Sequence, residues 1–250
     1  VENRMVVEDL ISDEKLRKYN YGIVHYESPD DRGIDVGLIY NKDVFKVKNS
    51  NSHDVFITGN NSSKRRNTRD QLVVSGYLDG ELMHFIVNHW PSRGADETKR
   101  IAAAEVNNFI IDSLRSKYEN PKIITMGDFN DDPFDKSIKK ILGAKKNIND
   151  VKKNDMYNPF ETILVDEGVG SNAYRDKWQL FDQIILSKPF LDKNYNDYQL
   201  YKAGVFNKSF LINKKGKFKG YPFRSFSYGT FTGGYSDHIP PYIYLLKEIK

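Results

Sequence analysis

The 250-residue chain is 39% apolar and 13% aromatic against 29% charged, which supplies a sizeable core and excludes an intrinsically disordered chain. It has no Cys, which excludes disulfides, thiolate zinc sites and a cysteine nucleophile, and no apolar run approaches the ~18 residues of a membrane-spanning helix. A net charge of +4 suits a phosphorylated substrate without demanding one.

The chain opens on Val1-Glu2-Asn3, with neither an initiator Met nor a signal-peptide pattern, and reads as a fragment or processed form. From Arg4 to Lys18, Met5, Val6, Leu10, Ile11 and Leu16 recur at roughly helical spacing, which predicts an amphipathic helix with a packing role. Tyr21 to Tyr26 and Ile34 to Tyr40 read as the strands of a hairpin around a charged loop from Glu27 to Gly33. Val44 to Val47 and Val55 to Thr58 continue it as a meander. Gly59 to Arg69 reads as a basic loop, and its Lys64, Arg65, Arg66 and Arg69 either form a solvated surface or contact phosphate. Gln71 to Leu78 and Leu82 to Val87 flank Asp79-Gly80, a dipeptide suited to the positive φ angles of a tight hairpin turn. Asp96 to Tyr118 is the longest helical pattern, with Ala103, Val106, Ile110 and Leu114 on one face.

The next stretch, Ile123 to Asn130, organises the rest: four residues suited to a buried strand run into Gly127, then Asp128 and Asn130. If extended geometry persists, both polar side chains point to one side and Phe129 to the other. The same residues, continued by Asp131-Asp132-Pro133, also suit a plain turn. A short helix follows over Asp135 to Leu142, and Leu180 to Leu186 reads as a strand carrying Asp182 within an apolar run. Between Lys193 and Tyr228 aromatic residues interleave with Lys and Gly. Such a surface suits nucleic acid, because bases stack on rings while cations follow the backbone, and rings also suit the anchoring of an irregular segment to a core. Ser236-Asp237-His238 precedes a closing strand, Ile239 to Leu246. No internal repeat or low-complexity linker interrupts the chain, so 1–250 reads as one domain.

His89, Asp128, Asn130, Asp182, Asp237 and His238 all stand at strand ends or within apolar strands, where an unpaired polar group is costly. Their recurrence at one kind of position implies convergence. Gly127-Asp128-Phe129-Asn130, Phe181-Asp182-Gln183-Ile184, Ser236-Asp237-His238 and the segment Asn88-His89-Trp90-Pro91-Ser92-Arg93 resemble, in order, motifs of the endonuclease/exonuclease/phosphatase superfamily, the deoxyribonuclease I-like group.

The resemblance implies an α/β fold, a four-layer sandwich of two mostly antiparallel sheets flanked by helices, with the site at one end. It implies a metal-dependent phosphoester hydrolase, foremost a phosphodiesterase or endonuclease. Asp128 would activate water, Asn130 would hold the phosphate or water, and His238, fixed by Asp182, would donate to the phosphate. His89 would stabilise charge there, and Arg69 and Arg93 would assist in binding substrate. Mg²⁺ or Mn²⁺ would be held by Asp237, Asp128 and Asn130. The expected partner is nucleic acid or another phosphoester. A phosphatase or phospholipase-type hydrolase acting on small phosphoesters, and a non-catalytic binding module on the same scaffold, are the alternatives. The family's upstream metal-binding Glu would fall immediately before Val1, and its first strands earlier still, so the chain reads as N-terminally truncated.

Overall fold

A computed structural model of the protein describes residues 1–59 and 62–249, with the side chains of 58–67 outside that description. Asn3 caps α1 (Arg4–Ser12), its Oδ1 accepting from the Val6 N–H at 3.1 Å. The helix ends well before Lys18, because the Asp13 carboxylate takes the Lys15 N–H and turns the chain. Only Val7 of α1 is buried. Met5, Val6 and Leu10 are exposed, so the packing face expected from the spacing is not formed among the described residues.

β1 (Tyr21–His25) and β2 (Gly37–Asn41) form the expected antiparallel ribbon. The meander does not continue. β3 (Phe45–His53) runs on, and β4 (Phe56–Gly59) and β5 (Ser62–Asn67) pair, among the described residues, only with each other, while β3 pairs across that hairpin with β6 (Gln71–Leu78). The basic stretch expected as a loop therefore has a strand backbone, although the Lys64, Arg65 and Arg66 side chains, expected to meet phosphate or solvent, lie outside the described residues.

β6 turns into β7 (Glu81–His89) through Asp79 at φ 47° and Gly80 at φ 83°, the left-handed pair that the dipeptide predicts. α2 (Glu97–Lys117) starts on an Asp96 cap and leads into β8 (Lys122–Asp128), which pairs parallel with β7. This is the strand-helix-strand unit on which the site is built. The short helix after β8 is a wide turn over Ser137–Ile141. The chain then forms β9 (Ala144–Lys145), β10 (Met156–Tyr157), α3 (Phe160–Val165), the hairpin β11 (Asn172–Tyr174) and β12 (Lys177–Gln179), β13 (Asp182–Ser187), β14 (Gln199–Val205), the hairpin β15 (Phe226–Ser227) and β16 (Thr230–Phe231), and β17 (Pro241–Leu246).

Seven strands make one sheet in the order β3-β6-β7-β8-β13-β10-β9, antiparallel except at β7–β8 and β10–β9. On one face, Val73, Ile86, Ile123 and Ile185 pack under Ala103, Ile110, Ile111 and Leu114 of α2. Each fully buried Ile contributes about 1.5–3 kcal/mol relative to an exposed one. On the other face, Met83, Ile124, Ile184 and Leu186 meet Leu200, Ala203, Ile243 and Leu245 of the ribbon β14–β17. Phe45, Leu72 and Val74 meet Val24 and Leu38 of β1–β2. The layers are those of the deoxyribonuclease I-like α/β sandwich. Opposite the seven-stranded sheet, the described residues form two separate ribbons, with no strand between them.

Candidate active site

Gly127 is where two strands must come together. Its φ is 132°, and a Cβ there would lie 2.0 Å from the Asn88 carbonyl oxygen of β7, so no side chain fits. This close approach sets His89 opposite Asp128 in the parallel register, while β13 sets Asp182 opposite Asp128 on the other side. Three polar residues from three strands thus share one sheet end. Beneath them, a buried amide network ties the strands to α2: Asn107 Nδ2 donates to Gln71 Oε1 at 2.9 Å and to Asn88 Oδ1 at 2.8 Å, and Trp90 Nε1 donates to the same Asn88 oxygen. The ties run through Asn107 Nδ2, since Asn107 Oδ1 is buried without a hydrogen-bond partner among the described residues.

Strand alternation is not what brings Asn130 to Asp128. β8 ends at Asp128 and Asn130 is left-handed, at φ 51°. Its N–H donates to Asp128 Oδ1 at 2.8 Å, and its Nδ2 donates to Asp128 Oδ2 at 3.2 Å and to the Trp90 carbonyl at 2.9 Å. The stretch is an Asx turn and a site at once. Phe129 does point away, fully buried and edge-on to Trp90.

His238 arrives from the loop before β17. The buried Ile239 anchors that loop, donating its N–H to the Ser171 carbonyl at 2.7 Å, and His238 Nδ1 lies 2.6 Å from Asp182 Oδ2. Burial by itself would depress the His238 pKa, but the hydrogen bond and charge of Asp182, with the charges of Asp128 and Asp237, outweigh it and raise the value to about 9. Burial, then repulsion from Asp182, raises Asp128 to about 6. His89 Nε2 stands 3.6 Å from Asp128 Oδ2, yet burial, reinforced by the cations Arg69 and Arg32, lowers the His89 pKa to about 3. At neutral pH His238 is an imidazolium and His89 a neutral ring. Charge stabilisation, expected of His89 from sequence, is chemistry for which His238 is the better equipped of the two.

His89, Asp128, Asn130, Asp182 and His238 therefore meet, and the other expected residues stand around them. Arg69 is buried: its Nε donates to the His89 carbonyl at 3.1 Å, Nη2 to the Trp90 carbonyl at 2.5 Å, and Nη1 to Asp30 Oδ2 at 3.1 Å. It braces the strand end from behind. Arg93 spans the loop after β8, donating to Asp132 at 3.1 Å, to Asp135 and to the Asn130 carbonyl, with its guanidinium 4.8 Å from the Phe181 ring centroid. Asp237 is exposed, with Arg224 Nη2 3.4 Å from its Oδ2.

Sequence reading missed the supports. Asp131 accepts from Arg100 Nε at 2.7 Å and Ser137 Oγ at 2.6 Å, and Asp132 Oδ1 accepts from the Leu180 N–H at 2.8 Å, locking the loop to α2 and to the approach of β13. Both read as ordinary turn formers, and only their distant partners, Arg100 at 31 positions and Leu180 at 48, give them a role. Asp30, inside the stretch that reads as a charged loop, is the carboxylate that holds Arg69.

For a divalent cation, the ligand atoms of Asp128, Asp182 and His238 lie within 4.8 Å of one another. Burial first, and then the Asp182 charge, raises the Asp128 pKa, so a cation placed between the two carboxylates would relieve both the desolvation and the repulsion. Asp237 is outside that cluster.

The sequence profile of the endonuclease/exonuclease/phosphatase family matches residues 1–247, and the chain belongs to that family. A search of curated protein sequences found no match. Among solved structures, an endonuclease/exonuclease/phosphatase family protein from Bacteroides thetaiotaomicron is similar at a TM-score of 0.61 and 15% identity, over 97% of this chain and 80% of that one. D. rerio TDP2 complexed with single strand DNA product is similar at 0.57 and 14%, over 98% and 83%. The mannosyl-6-phosphatase Bt3783 of Bacteroides thetaiotaomicron VPI-5482 is similar at 0.55 and 14%, over 91% and 77%.

Proposed function

We propose that the protein is a divalent-metal-dependent phosphoester hydrolase, foremost a phosphodiesterase of endonuclease type. The observation that carries this reading is geometric: Asp128 from β8, Asp182 from β13 and His238 from the loop before β17 bring ligand atoms within 4.8 Å of one another at one sheet end, with His238 Nδ1 2.6 Å from Asp182 Oδ2. A base poised near the working pH beside a fixed cation suits water attack on phosphorus. Asp128 takes a proton from water, the water oxygen bonds to phosphorus, and the ester P–O bond breaks with the electron pair leaving on the ester oxygen, which solvent protonates. His238 has Nδ1 engaged with Asp182, so its Nε2–H is the donor left for a non-bridging phosphate oxygen. Asn130 fixes the Asp128 carboxylate, and His89, neutral, offers a hydrogen bond beside it.

Mg²⁺ or Mn²⁺ suits the hard oxygen donors here, with Asp128 as its central ligand and Asp182, Asn130 or Asp237 completing the set. When bound it would supply Lewis-acid polarisation of the phosphate. Arg69 and Arg93 assist substrate through the strand end and loop that they hold. The neighbours named for a DNA product and for a sugar phosphatase are consistent with phosphoester chemistry on this scaffold.

The test is hydrolysis of bis-p-nitrophenyl phosphate with Mg²⁺ or Mn²⁺, and with EDTA as control. Metal-dependent turnover that falls at least ~10²-fold in His238→Ala is expected. Equal turnover in native and His238→Ala protein would overturn the reading.

A further inference from the structure

The sequence from Lys202 to Ser236 contains seven Lys and Arg residues and no Asp or Glu, whereas the whole chain has a net charge of only +4. All seven cations are exposed. The same segment carries large apolar rings in solvent: Phe226 is 59% exposed, Phe231 65% and Tyr228 92%. Phe226 and Phe231 face each other across the β15–β16 hairpin with ring centroids 5.5 Å apart. Nearby, Phe210 and Tyr235, also exposed, meet edge-on at 5.5 Å, and Lys208 and Lys217 lie over the rings of Phe206 and Phe218. The anchoring role that sequence allowed for aromatics of this segment therefore does not describe Phe226, and Tyr228 and Phe231 beside it are exposed as well.

The two flanks of the hairpin close on each other, and its second flank runs directly into the loop that carries His238. Thr232 N–H donates to the Ser225 carbonyl at 2.8 Å, and Tyr235 N–H donates to the Phe223 carbonyl at 2.7 Å. A Cβ on Gly234 would lie 2.3 Å from that same Phe223 oxygen, so the two backbones touch. Arg224, just before the hairpin, reaches Asp237, the neighbour of His238. Phe231 precedes His238 by seven positions, so even a fully extended chain keeps their Cα atoms within ~25 Å of each other, and Phe226 lies across the hairpin from Phe231. That is within reach of a bound strand several nucleotides long.

We propose that the β15–β16 hairpin, with the basic segment leading into it, is a stacking platform for a single-stranded polynucleotide, presenting its phosphodiester backbone to the site at His238. This deepens, and rests on, the phosphoester-hydrolase reading. Unpaired bases supply ring faces to Phe226, Tyr228 and Phe231, and phosphates supply charge to a segment with no anion of its own. A bilayer anchor fits less well, because the tip between the two Phe residues reads Ser227-Tyr228-Gly229-Thr230, with hydroxyls where insertion favours contiguous apolar side chains.

The experiment measures fluorescence anisotropy of a fluorescein-labelled oligothymidylate on the full chain, in EDTA so that nothing is cleaved, beside bis-p-nitrophenyl phosphate turnover with Mg²⁺. The native protein is expected to bind the oligonucleotide, more weakly as salt rises. Phe226→Ala with Phe231→Ala should weaken binding about 10- to 100-fold, Phe226→Tyr with Phe231→Tyr should retain it, and small-substrate turnover should stay unchanged in both. Native-like binding by the Ala variant, or no binding by the native protein, overturns the platform even where the small substrate is hydrolysed. Loss of binding to vesicles of phosphatidylcholine and phosphatidylglycerol, with oligonucleotide binding intact, overturns it in favour of a membrane surface. Oligonucleotide binding that depends on the rings in a protein that hydrolyses nothing supports the platform and overturns the hydrolase reading instead.

Discussion

The two sides of the site place a histidine next to a carboxylate and obtain opposite results. On the β13 side, His238 lies 2.6 Å from Asp182 and its pKa is raised to about 9. On the β7 side, His89 is 3.6 Å from Asp128, outside hydrogen-bonding range, and its pKa is lowered to about 3. Burial disfavours the imidazolium in both. The difference lies in the partners: a direct hydrogen bond and a surplus of carboxylates for His238, against the cations Arg69 and Arg32 for His89. A His–Asp pair seen in sequence or at low detail therefore does not define a charge. Asp128, between the two, is raised by burial and by Asp182 and drawn down by His238.

Asp128→Asn removes the proposed base, which stands between the two sides, and is expected to lower phosphodiester turnover about 10³-fold while the protein stays folded; a rate assay with circular dichroism checks it. Next in size, Asp182→Asn should cost about 10²-fold and draw the His238 titration from about 9 down towards the ordinary imidazole range. NMR titration of the metal-free variant reads that shift directly, and an unmoved value would end the contrast between the sides.

His89→Gln should cost only about 10-fold, because a neutral hydrogen-bonding group replaces a neutral ring, and should leave the alkaline limb of the pH–rate profile in place. A loss equal to that of His238→Ala would mean that His89 acts as a cation.

The smallest effect is on stability. The folded pKa of His238 exceeds its ordinary 6.5, so its contribution is complete below pH 6.5 and is lost as pH rises through about 9. His89 is depressed, so its contribution is lost as pH falls from 6.5 through about 3. Asp128 is raised from 3.8 to about 6, so it favours the folded state below pH 4 and loses that contribution as pH rises to about 6, opposing His89 in the acid range. Thermal midpoints across pH should show an alkaline decline that Asp182→Asn flattens, with little net slope between pH 4 and 6 from the site.

What the sequence determined was local. Asp79-Gly80 demanded a left-handed turn, Asp96 began a helix, and Gly127 closed a buried strand on two polar residues, since in each case one residue's own conformational preferences suffice. The order of the motifs also singles out His89, Asp128, Asn130, Asp182 and His238 without reference to any contact between them. Tertiary structure decided the rest. Only the β8–β13 register makes Asp182 face Asp128 across 54 positions of chain, and only burial against Asp30 turns Arg69 from a surface cation into a brace for the strand that carries His89. The pairing of β3 with β6 past an inserted hairpin, and the exposure of Met5, Val6 and Leu10 on a helix patterned for burial, are of the same kind. Periodicity states which face of an element is apolar. What covers that face, and which charge meets which across it, depends on residues distant in the chain, and their approach is set by packing of the whole.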